Sequence, residues 1–264
     1  NMMAELTSPA EPNAKELAAL AKSFAPSDSL TSWLVANTKR GGLTGENSEN
    51  ALEDFIQTVR LSPNDYRWWI ELGRGYEQAD RIEMAEQSYL KAIEIAPAYT
   101  YPRWQLGNFY LRQNRSEEAF TELKNAAQKN AVYRQQVFSI LWDYYGQDTA
   151  RLEQIAGDLS EVKTGLVQFY AARGRAEDSL RIWNTISDEE KSTGLPIARV
   201  VAQSLYEKGF YRTAISFVGA LGIEPDAKPE TVQNGGFEEA IKFSEYIYFG
   251  WKISPPEKMD INLD

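Results

Sequence analysis

The chain has 264 residues, a formal charge of −10 and 43% hydrophobic residues, with no cysteine and no histidine. That length can bury a sizeable core in one or two domains, and the acidity argues against nucleic acid, whose affinity for proteins comes largely from Lys and Arg at phosphates. Without cysteine there are no disulfides, thiolate metal sites or cysteine nucleophiles, and without histidine the commonest general base is missing. No apolar run approaches the ~20 residues of a membrane helix. The chain opens Asn1-Met2-Met3, so the lack of a signal peptide carries little weight, and both cytoplasm and cell envelope stay open as compartments.

Residues 12–25 predict a helix with Leu17, Leu20, Ala21 and Phe24 on its apolar face, followed by Pro26. Ser27-Asp28-Ser29 offers caps for a helix over about 30–38, which Gly41-Gly42 stops. Leu43 to Ser48 reads as a loop and Glu49 to Leu61 as a helix carrying Ala51 and Phe55, with Pro63 beyond it. Next comes Tyr66–Tyr99, YRWWIELGRGYEQADRIEMAEQSYLKAIEIAPAY. Trp69, Leu72, Gly73 and Tyr76 share one helical face, Ala85, Tyr89 and Ala92 another, and Pro97 ends the second helix. The small Gly73 and Ala85 predict that the two helices cross closely, with Tyr76 and Tyr89 filling the space beside the contact. Thr100 to Tyr133 repeats the pattern with Leu106, Gly107, Tyr110, Ala119, Leu123 and Ala126, though Arg103 stands for Trp69 and Ala131 for Pro97.

Residues 134–156 predict two shorter helices, the first with Val137, Ile140, Leu141 and Tyr144 on one face. From about Ser160 to Ser187 the stretch FYAARGRAEDSLRIW aligns without a gap on the earlier FYLRQNRSEEAFTEL, placing Tyr170, Ser179 and Trp183 at the repeated positions. From Leu195 to Leu221 those positions hold Ala202, Leu205, Ala214 and Val218. Residues 222–230 carry two prolines and read as a linker. Residues 231–264 alternate at Tyr246–Ile253 and Met259–Leu263 as strands do.

The spacing Trp69-x2-Leu72-Gly73-x2-Tyr76, then Ala85-x3-Tyr89 and Pro97, resembles the tetratricopeptide repeat, a helix-turn-helix unit of about 34 residues, with Tyr89 where Phe is usual. The likeness spreads over roughly 12–221, with 12–25 as half of a truncated repeat, 30–61 as a repeat with a stretched loop and 134–156 as a degenerate hairpin. It implies an all-α, right-handed solenoid of stacked helix pairs over 1–221, a linker at 222–230 and a short strand-like tail at 231–264. The expected core holds Phe55, Trp69, Leu72, Tyr76, Tyr89, Leu106, Tyr110, Leu123, Tyr170 and Trp183.

The resemblance also implies a non-catalytic scaffold that holds a protein or peptide partner in a concave groove, lined by first-helix residues outside the signature. Those are Arg67, Ile70, Arg74, Glu77 and Gln78, then Tyr101, Trp104, Asn108, Leu111 and Arg112, and further on Gln168, Arg199, Gln203 and Tyr206. Arg67, Ile70, Arg74, Tyr101, Trp104, Asn108 and Arg112 are the candidate partner-binding residues; no cofactor, metal or catalytic residue is expected. Chaperone-binding members use a clamp of Lys and Asn. Here Asn108 fits, but Ile70 and Arg74 stand where the preceding repeat needs Lys and Asn, so a chaperone tail is not implied. The pairs Glu117-Glu118 and Glu189-Glu190 read as solvated helix faces, since adjacent helical residues do not face each other.

In the tail, Asn234-Gly235-Gly236-Phe237-Glu238 and Phe249-Gly250-Trp251 resemble the opening of a jelly-roll carbohydrate-binding module, in which an acid placed like Glu238 can help hold calcium. A complete module needs about eight strands, more than this segment can form. The alternative reading that follows is a cell-envelope protein of polysaccharide assembly or recognition. Short strands are marginal alone, so Phe237, Tyr246, Tyr248, Phe249 and Trp251 are expected to pack on the last helix pairs or on another copy.

Overall fold

The computed structural model describes residues 13–40, 45–220, 222, 227–231, 235–236 and 248–249, and among them every regular element is an α-helix. They fall into two compact units, 1–130 and 131–264. The first contains α1 (Ala14–Phe24), α2 (Ser29–Arg40), α3 (Gly45–Leu61), α4 (Tyr66–Gln78), α5 (Ile82–Ile95), α6 (Thr100–Arg112) and α7 (Ser116–Lys129). The second contains α8 (Ala131–Tyr144), α9 (Thr149–Ala156), α10 (Ser160–Ala172), α11 (Ala176–Trp183), α12 (Asp188–Thr193), α13 (Leu195–Glu207) and α14 (Tyr211–Ala220). Within each unit consecutive helices pair as hairpins and the hairpins stack, the helical-repeat solenoid that the resemblance implies.

Four hairpins close in the same way. Asp80, Asn114, Gly174 and Gly209 all have positive φ, between 56° and 81°. The N–H of the next residue then returns to a carbonyl five residues back: Arg81 to Tyr76 at 2.8 Å, and Arg115 to Tyr110, Arg175 to Tyr170 and Phe210 to Leu205 at 2.9 Å. This bond satisfies a carbonyl that the end of a helix leaves without an intrahelical donor. Gly pays nothing for the left-handed backbone, and Asn and Asp are the residues that otherwise tolerate it best.

The first unit has two overlapping cores. One gathers Ala36, Ala51, Leu52, Phe55, Val59 and Leu72, the other Ile70, Ala85, Tyr89, Ala92, Leu106, Phe109, Tyr110 and Ala119. Trp69 and Tyr76 pack against both but are only partly buried, and Trp69 directs its indole N–H outward to the Pro63 carbonyl at 2.7 Å. The other eight residues expected in the core are buried. In the second unit α10 packs against α8, α9, α11 and α13 and is buried on most of its circumference. Rings of Phe138, Trp142, Phe169 and Tyr170 meet edge-on there. Ser179 replaces the small Ala of the earlier repeats at no cost, because its buried hydroxyl donates to the Val167 carbonyl at 2.9 Å.

Several local expectations change. The loop expected over Leu43–Ser48 is helical from Gly45 onward, so α3 is longer than predicted; residues 41–44, with the Gly41-Gly42 stop, lie outside the described residues. On α1 the residues turned inward are Ala14 and Ala18, while Leu17, Leu20 and Phe24 are exposed, Phe24 by 82%. The alanines are the small residues that let α1 and α2 approach. On α8, Val137 and Leu141 are buried, but Tyr144 is exposed and Arg134 is buried instead. The short α12 escaped the sequence reading, although Ser187 and Glu190 form a capping box at its start. Most of the strand-like tail and the Asn234–Glu238 motif lie outside the described residues, and at Tyr248 and Phe249 the backbone bends.

Two glycines separate steric from backbone demands. A Cβ on Gly107 would sit 2.7 Å from Leu123 Cγ and 3.3 Å from the Leu123 backbone nitrogen, so Gly107→Ala must push α6 and α7 apart. A Cβ on Gly209 would meet nothing within 4 Å, but φ there is +81°. We expect Gly107→Ala to cost about 1–3 kcal/mol through overpacking and Gly209→Ala about 1–2 kcal/mol through backbone strain alone. Urea titration followed by helical circular dichroism measures both. At position 209, Asn should recover part of the loss and should recover none at 107.

Candidate partner-binding groove

In the first unit α4 and α6 touch directly, although α5 separates them in the chain. Their core-facing residues leave an adjacent stripe on each helix, and most candidate residues lie there. Arg67 is exposed and embraces Asp65, its Nε 2.9 and 3.1 Å from the two carboxylate oxygens. Asp65 also accepts the Arg67 backbone N–H at 3.0 Å and so caps α4. The Arg67 guanidinium holds the Asp65 carboxyl below its ordinary pKa, against a smaller opposing effect of burial.

Two turns along α4, Arg74 is half-buried. Its guanidinium donates to Glu71 at 2.6 Å and to the Tyr101 hydroxyl on α6 at 3.1 Å. Glu71 also accepts from Arg40 of α2 at 3.1 Å, so one carboxylate serves two guanidiniums and three helices are tied together. Burial lowers the Arg74 pKa, but Glu71 and Tyr101 outweigh it and the net direction is upward. The ring of Tyr101 stacks on Trp104 with centroids 6.1 Å apart and planes at 17°, forming a flat aromatic step.

Further along, Arg112 of α6 reaches back to Glu77 of α4 with both prongs, Nε at 2.6 Å and Nη2 at 2.8 Å. The Tyr89 hydroxyl donates to the same carboxylate at 3.3 Å. Such fork-on-fork pairs hold both side chains in fixed rotamers. Asn108 donates from Nδ2 to the Trp104 carbonyl one turn back at 2.7 Å.

Ile70 is a correction. It is 1% exposed and lies in the core with Tyr89, Leu106 and Phe109, so it cannot line a surface. Arg67, Arg74, Tyr101, Trp104, Asn108 and Arg112 remain partly or fully accessible on the two stripes. Gln168, Arg199, Gln203 and Tyr206 belong to the second unit. The sequence reading missed Glu71 and Arg40. Glu71 could have been paired with Arg74 from their spacing of three, whereas the contact between Arg40 and Glu71 spans 31 residues and leaves no local mark. Among the described residues no group of His, Cys, Asp and Glu is placed to hold a metal, and no helix is long and apolar enough to cross a membrane.

The two outer arginines should respond differently to truncation. Glu77 is largely enclosed, so Arg112→Ala leaves a mostly buried carboxylate short of its main partner and should cost about 1–3 kcal/mol. Arg67→Ala removes an exposed pair while Asp65 keeps its cap, and should cost under about 1 kcal/mol. Denaturant titrations of the two variants, with Arg112→Lys as an intermediate case, check the order.

Comparison with known proteins agrees with the α4–α5 hairpin. The family model described as a tetratricopeptide repeat matches residues 66–99. Superkiller protein 3 of Saccharomyces cerevisiae is 31% identical over 62 residues, which is 24% of this chain and 4% of that protein. The peroxisomal targeting signal receptor of the same yeast is 29% identical over 63 residues, 24% of this chain and 10% of that protein. The chain thus spans a small fraction of the length of either relative. Among solved structures, YrrB, a TPR protein with an unusual peptide-binding site, aligns over 79% of this chain and 93% of its own at 14% identity and a TM-score of 0.36. MamA aligns over 81% of this chain and 97% of its own, also at 14% identity, with a TM-score of 0.34. The matched segment, residues 66–99, is the hairpin α4–α5, so the chain contains a tetratricopeptide repeat.

Proposed function

We propose that the first unit is a non-catalytic scaffold that holds an extended segment of a partner protein, or a peptide, along the α4–α6 stripes. The observation that carries this reading is the division of labour on these helices. Most signature residues turn inward, while Arg67, Arg74, Trp104, Asn108 and Arg112 stand outside the core on two neighbouring helices and Tyr101 packs at its edge. Arginine and large aromatics supply most of the energy at protein interfaces. Their rotamers are already fixed here by Asp65, Glu71 and Glu77, which reduces the ordering cost of binding. The Tyr101–Trp104 step suits an apolar side chain, and the arginine pairs on either side can exchange hydrogen bonds with a peptide backbone. The yeast relative named as a targeting-signal receptor is consistent with capture of a short segment, over the stretch that the two chains share.

A displayed library of random peptides, selected on the full chain, tests the proposal. Selected peptides should lose at least about tenfold in affinity to Trp104→Ala and to Asn108→Ala, a difference of about 1.4 kcal/mol, while the melting temperatures stay close to wild type. Peptides that bind both variants as well as the wild-type chain, or a selection that enriches nothing, would refute it.

A further inference from the structure

The second unit carries a surface with an occupant of its own. α13 buries Ala198, Val201, Ala202 and Leu205. Arg199, Gln203 and Tyr206 follow one another at spacings of four and three on the flank beside that face. At the end of this flank three rings meet Tyr206: Tyr211 of α14 at 5.3 Å and 68°, Tyr248 at 6.0 Å and 65°, and Phe249 at 5.5 Å and 80°. All are edge-to-face arrangements, the geometry favoured by the quadrupoles of aromatic rings. Tyr248 is 6% exposed. A separate stretch of the same segment returns to this helix pair, since Glu230 forms an ion pair with Arg212 of α14 and Ala227 is buried. Two contacts 18 residues or more apart in the chain therefore converge on α13 and α14.

We propose that the Tyr206 end of α13 is a docking site for two adjacent aromatic residues, and that Tyr248-Phe249 of the same chain fills it as an internal occupant. A partner segment presenting two neighbouring aromatics has to displace it. An occupant tethered to its own site acts at an effective concentration on the order of millimolar, so the intact chain resists such a partner until it binds more tightly than the tail does. The surface is distinct from the α4–α6 stripes, and neither proposal depends on the other.

The test uses the full chain and a labelled synthetic peptide of residues 244–252, SEYIYFGWK. The double variant Tyr248→Ala/Phe249→Ala should bind this peptide, and the wild-type chain should bind it at least about tenfold more weakly because its own tail competes. Adding Tyr206→Ala to the double variant should abolish binding while the helical circular dichroism spectrum is retained. In the wild-type tail, Tyr206→Ala alone should speed chymotryptic cleavage after Phe249, a readout that does not require the double variant to fold. Equal peptide affinity of wild type and double variant, no binding by a folded double variant, or unchanged cleavage in Tyr206→Ala would overturn the proposal. A wild-type dimer that dissociates on Tyr248→Ala/Phe249→Ala would also overturn it, by assigning the site to the tail of a second copy.

Discussion

The whole arrangement depends on one turn. In each of the four matched hairpins the residue after the left-handed position does two jobs. Its N–H ends the first helix on Tyr76, Tyr110, Tyr170 or Leu205, and its carbonyl starts the second by accepting from Ala85, Ala119, Ser179 or Ala214 at 2.9–3.0 Å. The large side chain that fills the gap between the helices and the small one that lets them touch are thereby held in fixed register. A left-handed residue at this point is a backbone requirement, which is why Asp80, Asn114, Gly174 and Gly209 differ in chemistry but share a conformation.

Where the turn changes, the unit changes. Between α8 and α9 both Gly146 and Gln147 have positive φ, and α9 runs for only 8 residues. The short hairpin leaves its first helix to be covered by α10, and the cover is unusual. Arg134 is buried under Gly165, where a Cβ would come within 2.7 Å of the arginine stem. Its guanidinium donates to the Glu161 carbonyl at 3.0 Å, and burial depresses its pKa. The Glu161 carboxylate lies 3.8 Å from the same guanidinium, and these contacts lock α8 to α10.

On the first unit, stacking creates polar chemistry that no single repeat contains. Glu71 joins residues of α2 and α4, Arg74 joins α4 to α6, and Glu77 receives both Tyr89 of α5 and Arg112 of α6. Each carboxylate is mostly enclosed while the arginines keep one side in water. The result is a surface whose long side chains are already ordered before any partner arrives, with Tyr101 bonded to Arg74 and stacked on Trp104.

The helices were legible because their information is local. Spacing of three and four, small residues at crossings and proline after a helix are written in neighbouring residues, and they placed the hairpins and nearly all of the core. Trp69 and Tyr76 read as core residues yet sit at its edge, because the phenol and indole heads can reach water while their rings pack. The apolar face of α1 was read from hydrophobicity alone, whereas close helix approach selected the alanines, Ala14 and Ala18. Ile70 looked like a groove residue by its place in the repeat, but the stacking of α5 and α6 against it decided that it is core. The α12 capping box was present in the sequence and was passed over. The partners of the groove arginines were a different matter. Arg40 and Glu71, Arg74 and Tyr101, and Glu77 and Arg112 are separated by 31, 27 and 35 residues, and only the stacking of whole helices brings such pairs within hydrogen-bond distance.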